Sequence, residues 1–276
     1  MRSADAVEPP RRGDAMSYET IQVSDSNGVR TITLNRPDEM NSVNDRMTAE
    51  LAKELRGVAK DKSIRCVVLT GAGRAFCVGQ DLKEATSREG QYDFGARLRS
   101  GYHPVVTQLA KMGVPTIASI NGAAAGAGWS LALACDLRIS SKAAKFVAAF
   151  SNIGLVPDSG ITWILPRLVG YAKALEIAWL SDPLSADSAL QLGLVHRVVD
   201  AESLAATTRE IAEQIAKRPT KGLMLTKQAM AAGYGQDLDA QLEYEAQLQT
   251  IAGRTKDYSE GVRAFIEKRP PEFTGE

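Results

Sequence analysis

Three cysteines and two histidines are all that 276 residues contain. Cys66, Cys77, Cys135, His103 and His196 form no CxxC or HExxH arrangement, so a disulfide framework and a zinc site both lack material. Excess charge is missing as well, because 33 Lys and Arg offset 33 Asp and Glu. Without a net field to gather a polyanion or an anionic lipid surface, no nucleic acid and no membrane partner is expected. The longest apolar stretch, residues 123–135, is broken by Gly126, Gly128 and Ser130 and falls short of the ~18 residues a span requires. Residues 1–15 hold three arginines and two prolines but no apolar segment of the secretory kind. They are expected to be a disordered leader ahead of a second start at Met16, on a cytoplasmic protein.

What is present is ordinary globular composition, 44% apolar and 24% charged, which excludes disorder of the whole chain. The length fits one α/β domain with an appendage. Alternation in YETIQVS (18–24) and VRTITLN (29–35) around Asn27-Gly28 predicts a β-hairpin. Met47, Leu51, Leu55 and Val58 then carry a helical period, and CVVLT (66–70) reads as a buried strand. The cadence repeats with a helix over 97–112, a strand at 115–120, a helix from 126, and strands at 136–140 and 145–149. After VHRVVD (195–200) four helical patterns follow, at 202–217, 219–231, 236–253 and 257–268. A boundary near 200 therefore divides a core at 16–200 from a helical region at 201–276. So small a block cannot bury its own core and should pack on the first part or on other subunits.

Two glycine-rich elements each follow a buried strand: GAGRAFCVGQDL (71–82), with Asp81 as a helix cap, and NGAAAGAGWSLALACD (121–136). Both turn the chain from strand to helix, where backbone N–H groups are unpaired and could share one anionic oxygen. Plain turn chemistry is the alternative for either alone. The dinucleotide pattern GxGxxG is not met by residues 71–76, which disfavours a Rossmann enzyme.

Taken together with NRPDEMNSV (35–43) and IGLVPDSGITWILPRLVG (153–170), these elements resemble the four signature segments of the crotonase, or enoyl-CoA hydratase/isomerase, superfamily. The resemblance implies an α/β fold, a crotonase-like spiral of ββα turns binding acyl-CoA. It also implies that the C-terminal helices build a homo-trimer or hexamer. Coenzyme A would enter as part of the substrate, with no separate cofactor.

Residue by residue, the resemblance places two backbone N–H donors for a thioester oxygen at Gln80 and Ala127. It places the two glutamates of the family's hydratases at Ser130 and Phe150, neither of which can hold a carboxylate. Asp158 falls where isomerases carry a proton-shuttling acid and where a thioester dehalogenase carries its nucleophile. Phe150 in place of that dehalogenase's Trp weighs against the dehalogenase. Further substrate contacts are implied for Asp38, Met40, Val78, Asp81, Leu82 and Phe150. Lys83 could face a CoA phosphate or be an ordinary exposed helix lysine. Phe265 and Lys268 of a neighbouring subunit would cover adenine and phosphates. The two histidines read as loop and strand-end residues, and Cys77 as a small buried hydrophobe. The stretches AAGAGWSLALACD and KFVAAFSNIGLVPDSG most resemble the phenylacetate-pathway isomerase subgroup, which converts epoxyphenylacetyl-CoA to an oxepin and shifts double bonds in enoyl-CoA. The expected activity is an isomerase; a hydratase and a non-catalytic acyl-CoA binder remain as alternatives.

Overall fold

At the hairpin, Asn27 and Gly28 both take positive φ, 51° and 76°, the conformation a two-residue turn needs to match strand twist. They join β1 (Ile21–Ser26) to β2 (Val29–Leu34) in antiparallel register, Ile21 opposite Leu34. The structure is a computed structural model that describes residues 18–86 and 93–276. The expected leader at 1–15 lies outside the described residues. Asn44 caps the following helix, α1 (Asp45–Val58), whose Met47, Leu51, Leu55 and Val58 are buried as the period requires.

From there each turn of the chain gives one strand to each of two sheets and then a helix. The first turn is β3 (Cys66–Gly71), β4 (Ala75–Cys77) and α2 (Leu82–Thr86). After α3 (Phe94–Arg97) and α4 (His103–Lys111) the second is β5 (Thr116–Ile120), β6 (Ala123–Ala125) and α5 (Ala127–Ala134). The third is β7 (Leu137–Ser141), β8 (Lys145–Val147) and α6 (Ile161–Val169). Next come α7 (Tyr171–Leu180), β9 (Leu184–Ser185), α8 (Ala186–Gln191) and β10 (Arg197–Val199). One sheet has the order β1-β2-β3-β5-β7-β10, parallel from β2 onward, and the other β4-β6-β8-β9. This is the spiral of ββα turns expected from the sequence.

Most buried apolar side chains, from Leu34 and Leu69 to Trp129 and Phe146, fill one core on the inner face of the larger sheet. Four helices end the chain: α9 (Ala201–Ala216), α10 (Thr220–Ala232), α11 (Leu238–Ala252) and α12 (Lys256–Glu267). They do not stand together as an appendage. Leu204, Ala212 and Ala216 of α9 pack on Val29, Cys66, Val68, Ile117 and Ile139, closing the outer face of that sheet. The C-terminus is tied back to the same body, because the Arg65 guanidinium donates to Thr220 Oγ1, Arg218 O and Phe273 O at 2.6–2.9 Å. Among the described residues no helix is long and apolar enough to cross a membrane.

Candidate active site

Strands β3 and β5 are adjacent and parallel, so the loops at their carboxyl ends must emerge side by side. Those loops are the two glycine-rich elements. The pairing of β4 with β6 then runs residues 77–80 alongside 124–127. Contact is close enough to demand glycine: a β-carbon at Gly79, whose φ is +92°, would lie 2.9 Å from Ala125 O and 3.3 Å from Ala127 N. One at Gly128 would lie 2.2 Å from Cys77 O.

The donor directions follow from pairing. Val43 bridges Gln80 in parallel, with Val43 N donating to Gly79 O at 2.7 Å and Asp81 N to Val43 O at 3.0 Å. Backbone polarity alternates along an extended segment, so the Gln80 N–H is turned to the opposite edge, beside 125–127. Gly126, φ 51°, is pinned by its own N–H to Val147 O at 3.0 Å. Ala127 opens α5, in the turn whose N–H groups have no intrahelical acceptor. Gln80 and Ala127 are thus brought to one place.

Asp158 sits in a turn that distorts the chain to hold it. Ser159 and Gly160 have φ of 54° and 88°, the first a left-handed conformation costly for a residue with a side chain. The Asp158 carbonyl accepts from Ser130 Oγ at 3.1 Å and Ile161 N at 3.2 Å, and its carboxylate accepts from Ser159 Oγ at 2.8 Å. Ser130 is wholly buried and also reaches Gly126 O at 3.3 Å, linking the Asp158 turn to the glycine loop. Burial pushes the Asp158 carboxyl above its ordinary value, against the Ser159 hydroxyl and the charge of His103, which favour the ionised form.

Around Asp158 the apolar side chains divide: Phe150 and Ile161 are buried, whereas Val156 is 77% exposed. His103, read as a loop residue, opens α4 within electrostatic reach of Asp158. His196, just before β10, accepts Arg138 N–H on Nδ1 at 3.0 Å, as befits a strand-end residue.

The other expected contacts scatter by degree. Met40 and Val78 are joined by a Val78 N to Met40 O bond of 3.3 Å, and Asp38 lies exposed in the preceding turn. Asp81 is engaged within the chain: Arg36 donates to Oδ2 at 2.8 Å, and the Lys83 and Glu84 N–H groups donate to Oδ1 at 3.1 and 3.3 Å. Burial raises this carboxyl, but Arg36 and the helix N–H groups outweigh it and hold it below its ordinary value. Leu82 and Lys83 are exposed on α2. Phe265 is 85% exposed on α12, and Lys268 ends that helix in a left-handed cap. Their segment is tied down at Arg65, the opposite end of β3 from Gly71, so one chain does not unite them with the loops.

The three cysteines are buried, and burial pushes each thiol up to about 12, which leaves no thiolate nucleophile at neutral pH. No cluster of three or more His, Cys, Asp or Glu able to hold a metal occurs among the described residues.

The chain is similar to known proteins over nearly its whole length. The chain is 49% identical over 250 residues to a 1,2-epoxyphenylacetyl-CoA isomerase of Escherichia coli, covering 90% of this chain and 95% of that protein. It is 38% identical over 257 residues to an (E)-benzylidenesuccinyl-CoA hydratase of Thauera aromatica, covering 93% and 98%. The crystal structure of an enoyl-CoA hydratase from Bacillus anthracis superposes with a TM-score of 0.87 at 35% identity, over 94% of this chain and all of that one. A sequence profile of enoyl-CoA hydratase/isomerase matches residues 24–276, and the chain belongs to that family.

Proposed function

We propose that this protein is an acyl-CoA isomerase in which Asp158 is the sole proton shuttle and the Gln80 and Ala127 N–H groups stabilise a thioester enolate. The observation that carries the reading is the isolation of Asp158. Its carboxyl is half-buried and raised, and the one charged group acting on it among the described residues is a histidine rather than a second carboxylate. Ser130 and Phe150 fill the places where the family's hydratases hold their glutamates, and both are buried.

The mechanism follows from charge. Removing a proton from the carbon beside the acyl double-bond system leaves an enolate, whose negative oxygen two pre-organised N–H donors hold without reorganisation; each such donor is worth ~3 kcal/mol in related chemistry. A carboxylate raised toward neutrality takes the proton readily and returns it two carbons away. One carboxylate suffices, because isomerisation adds no water. The reaction asks for no cofactor, with CoA as part of the substrate. The similarity to the Escherichia coli enzyme supports epoxyphenylacetyl-CoA as substrate alongside 3-enoyl-CoA. Exposed Tyr171, Trp179, Phe265 and Ile266 support assembly as a trimer or dimer of trimers, which light scattering of the full chain tests.

The deciding experiment is Asp158→Asn assayed with 3-enoyl-CoA and epoxyphenylacetyl-CoA. Turnover should fall ~10² to 10⁴-fold while butyryl-CoA affinity, read by calorimetry, hardly changes. Wild-type hydration of crotonyl-CoA near the ~10 per second of an average enzyme would favour the hydratase reading instead. Binding without any turnover would leave a passive acyl-CoA carrier.

A further inference from the structure

The Asp158 turn leans on α4 as well as on α5. A β-carbon at Gly160 would meet Val106 Cγ1 at 3.2 Å, so Val106 packs directly against the turn. His103 lies three residues earlier on α4, one helical turn and about 4.5 Å along the axis, on the same face as Val106. Just before it the helix widens into a π-turn, Leu98–Tyr102, a feature that re-phases a helix and recurs at functional sites. Tyr102, Val105 and Leu109 thereby face the core, and His103 stands exposed at the mouth of the turn.

The charges nearest His103 along its own element are Arg97, which pairs with Asp45 at 2.6 Å and lies 4.9 Å from the Tyr102 ring, and Arg99, four residues before the histidine. Helix α5 carries no titratable side chain. The one cation of α6, Arg167, is stacked 3.9 Å from the Trp163 ring and 5.3 Å from Tyr234. Lys111 is at the far end of α4, about 12 Å along the axis from His103.

We infer that His103 is a positioning residue whose exposed imidazole, set one helical turn from the Val106–Gly160 contact, acts on the Asp158 carboxyl and readies it to accept the substrate proton. The inference rests on the reading of Asp158 as the base. His103 touches no reacting atom; with the Ser159 hydroxyl it opposes the burial that raises the carboxyl. An imidazole is cationic on the acid side of neutrality, where a raised carboxyl would start to lose its charge.

The test is a pH titration of the Asp158 carboxyl by 13C NMR in full-length protein labelled at aspartate, with Asp158→Asn identifying the signal. His103→Gln should raise the midpoint by about one pH unit, and His103→Lys should bring it back toward wild type. The acid limb of kcat/KM for 3-enoyl-CoA should move likewise, so that His103→Gln is about tenfold slower below the limb and equal above it, with butyryl-CoA affinity unchanged. A midpoint unmoved in His103→Gln overturns the inference even if Asp158→Asn is inactive. A moved midpoint with a fully active Asp158→Asn upholds the pairing and overturns the base assignment instead, so the two failures are distinct.

Discussion

A single methyl group at Gly79 tests whether the meeting of the two glycine loops is what the chemistry uses. Alanine there must adopt φ near +92° and place its β-carbon 2.9 Å from Ala125 O and 3.3 Å from Ala127 N. The left-handed conformation costs an L-residue about 1–2 kcal/mol. The methyl must then push the two loops apart by a few tenths of an ångström, beside the proposed donors of Gln80 and Ala127. Gly193→Ala separates the two effects, because Gly193 has φ of +72° and nothing within 4 Å of an added β-carbon. At about 2–4 °C per kcal/mol for a chain of this size, strain alone should lower the Tm of Gly193→Ala by roughly 2–8 °C without touching turnover. Gly79→Ala should melt somewhat lower and lose about 10² to 10³ in kcat, the cost of one misplaced oxyanion donor. Calorimetry and steady-state isomerisation of 3-enoyl-CoA read the two quantities. A Gly79→Ala protein that turns over like Gly193→Ala would show that the approach of the loops serves the fold and not an oxyanion.

Two further outcomes follow from the Asp158 turn. Ser130→Ala removes the hydroxyl that holds the Asp158 carbonyl at 3.1 Å, which should cost about 1 kcal/mol of stability and about tenfold in kcat with KM little altered. Asp158→Asn should melt higher than wild type at neutral pH, because a carboxyl raised in the folded state is ionised there at the fold's expense. That handicap sets in as pH rises from the unfolded carboxyl's value through the folded one, so the two melting temperatures should converge below pH ~3.9; a constant gap across pH would refute the raised carboxyl.

Much of this architecture was legible because its signals are periodic and local. The Asn-Gly turn, the apolar face of α1 and the buried runs of β3 and β5 each carry a pattern that packing merely reinforces. The smaller sheet was not legible. Strand β6 is three alanines and β4 three residues inside what reads as a loop, so neither is long enough to show alternation. Their pairing exists because β3 and β5 deliver them side by side, which is a tertiary cause. The strand read at 145–149 stops at Val147, since Ala149 turns left-handed with φ of 61° to send Phe150 into the core. At the site, Asp158 was visible as a lone acid in a turn. The hydroxyls that hold it were not: Ser130 is 28 residues away in the chain, and no spacing rule ties a helix serine to a distant carbonyl. His103 was missed for the same reason, being a partner across packed helices.

The choice between one carboxylate and two is built into the core rather than into the rim of the site. Phe150 is 6% exposed and packs among the apolar residues of the inner core, so a glutamate in its place would bury a charge among them. Ser130 is 0% exposed, and its hydroxyl is spent on the carbonyls of Asp158 and Gly126. A glutamate there would have to displace the contact that fixes the Asp158 turn while adding a like charge beside a carboxyl already disfavoured by burial. Installing a glutamate pair at 130 and 150 should therefore weaken the support of the Asp158 turn that the proposed isomerase uses. On the proposed reading, the acid of this chain is therefore carried by the half-buried, strained turn at Asp158 and not by the buried positions 130 and 150.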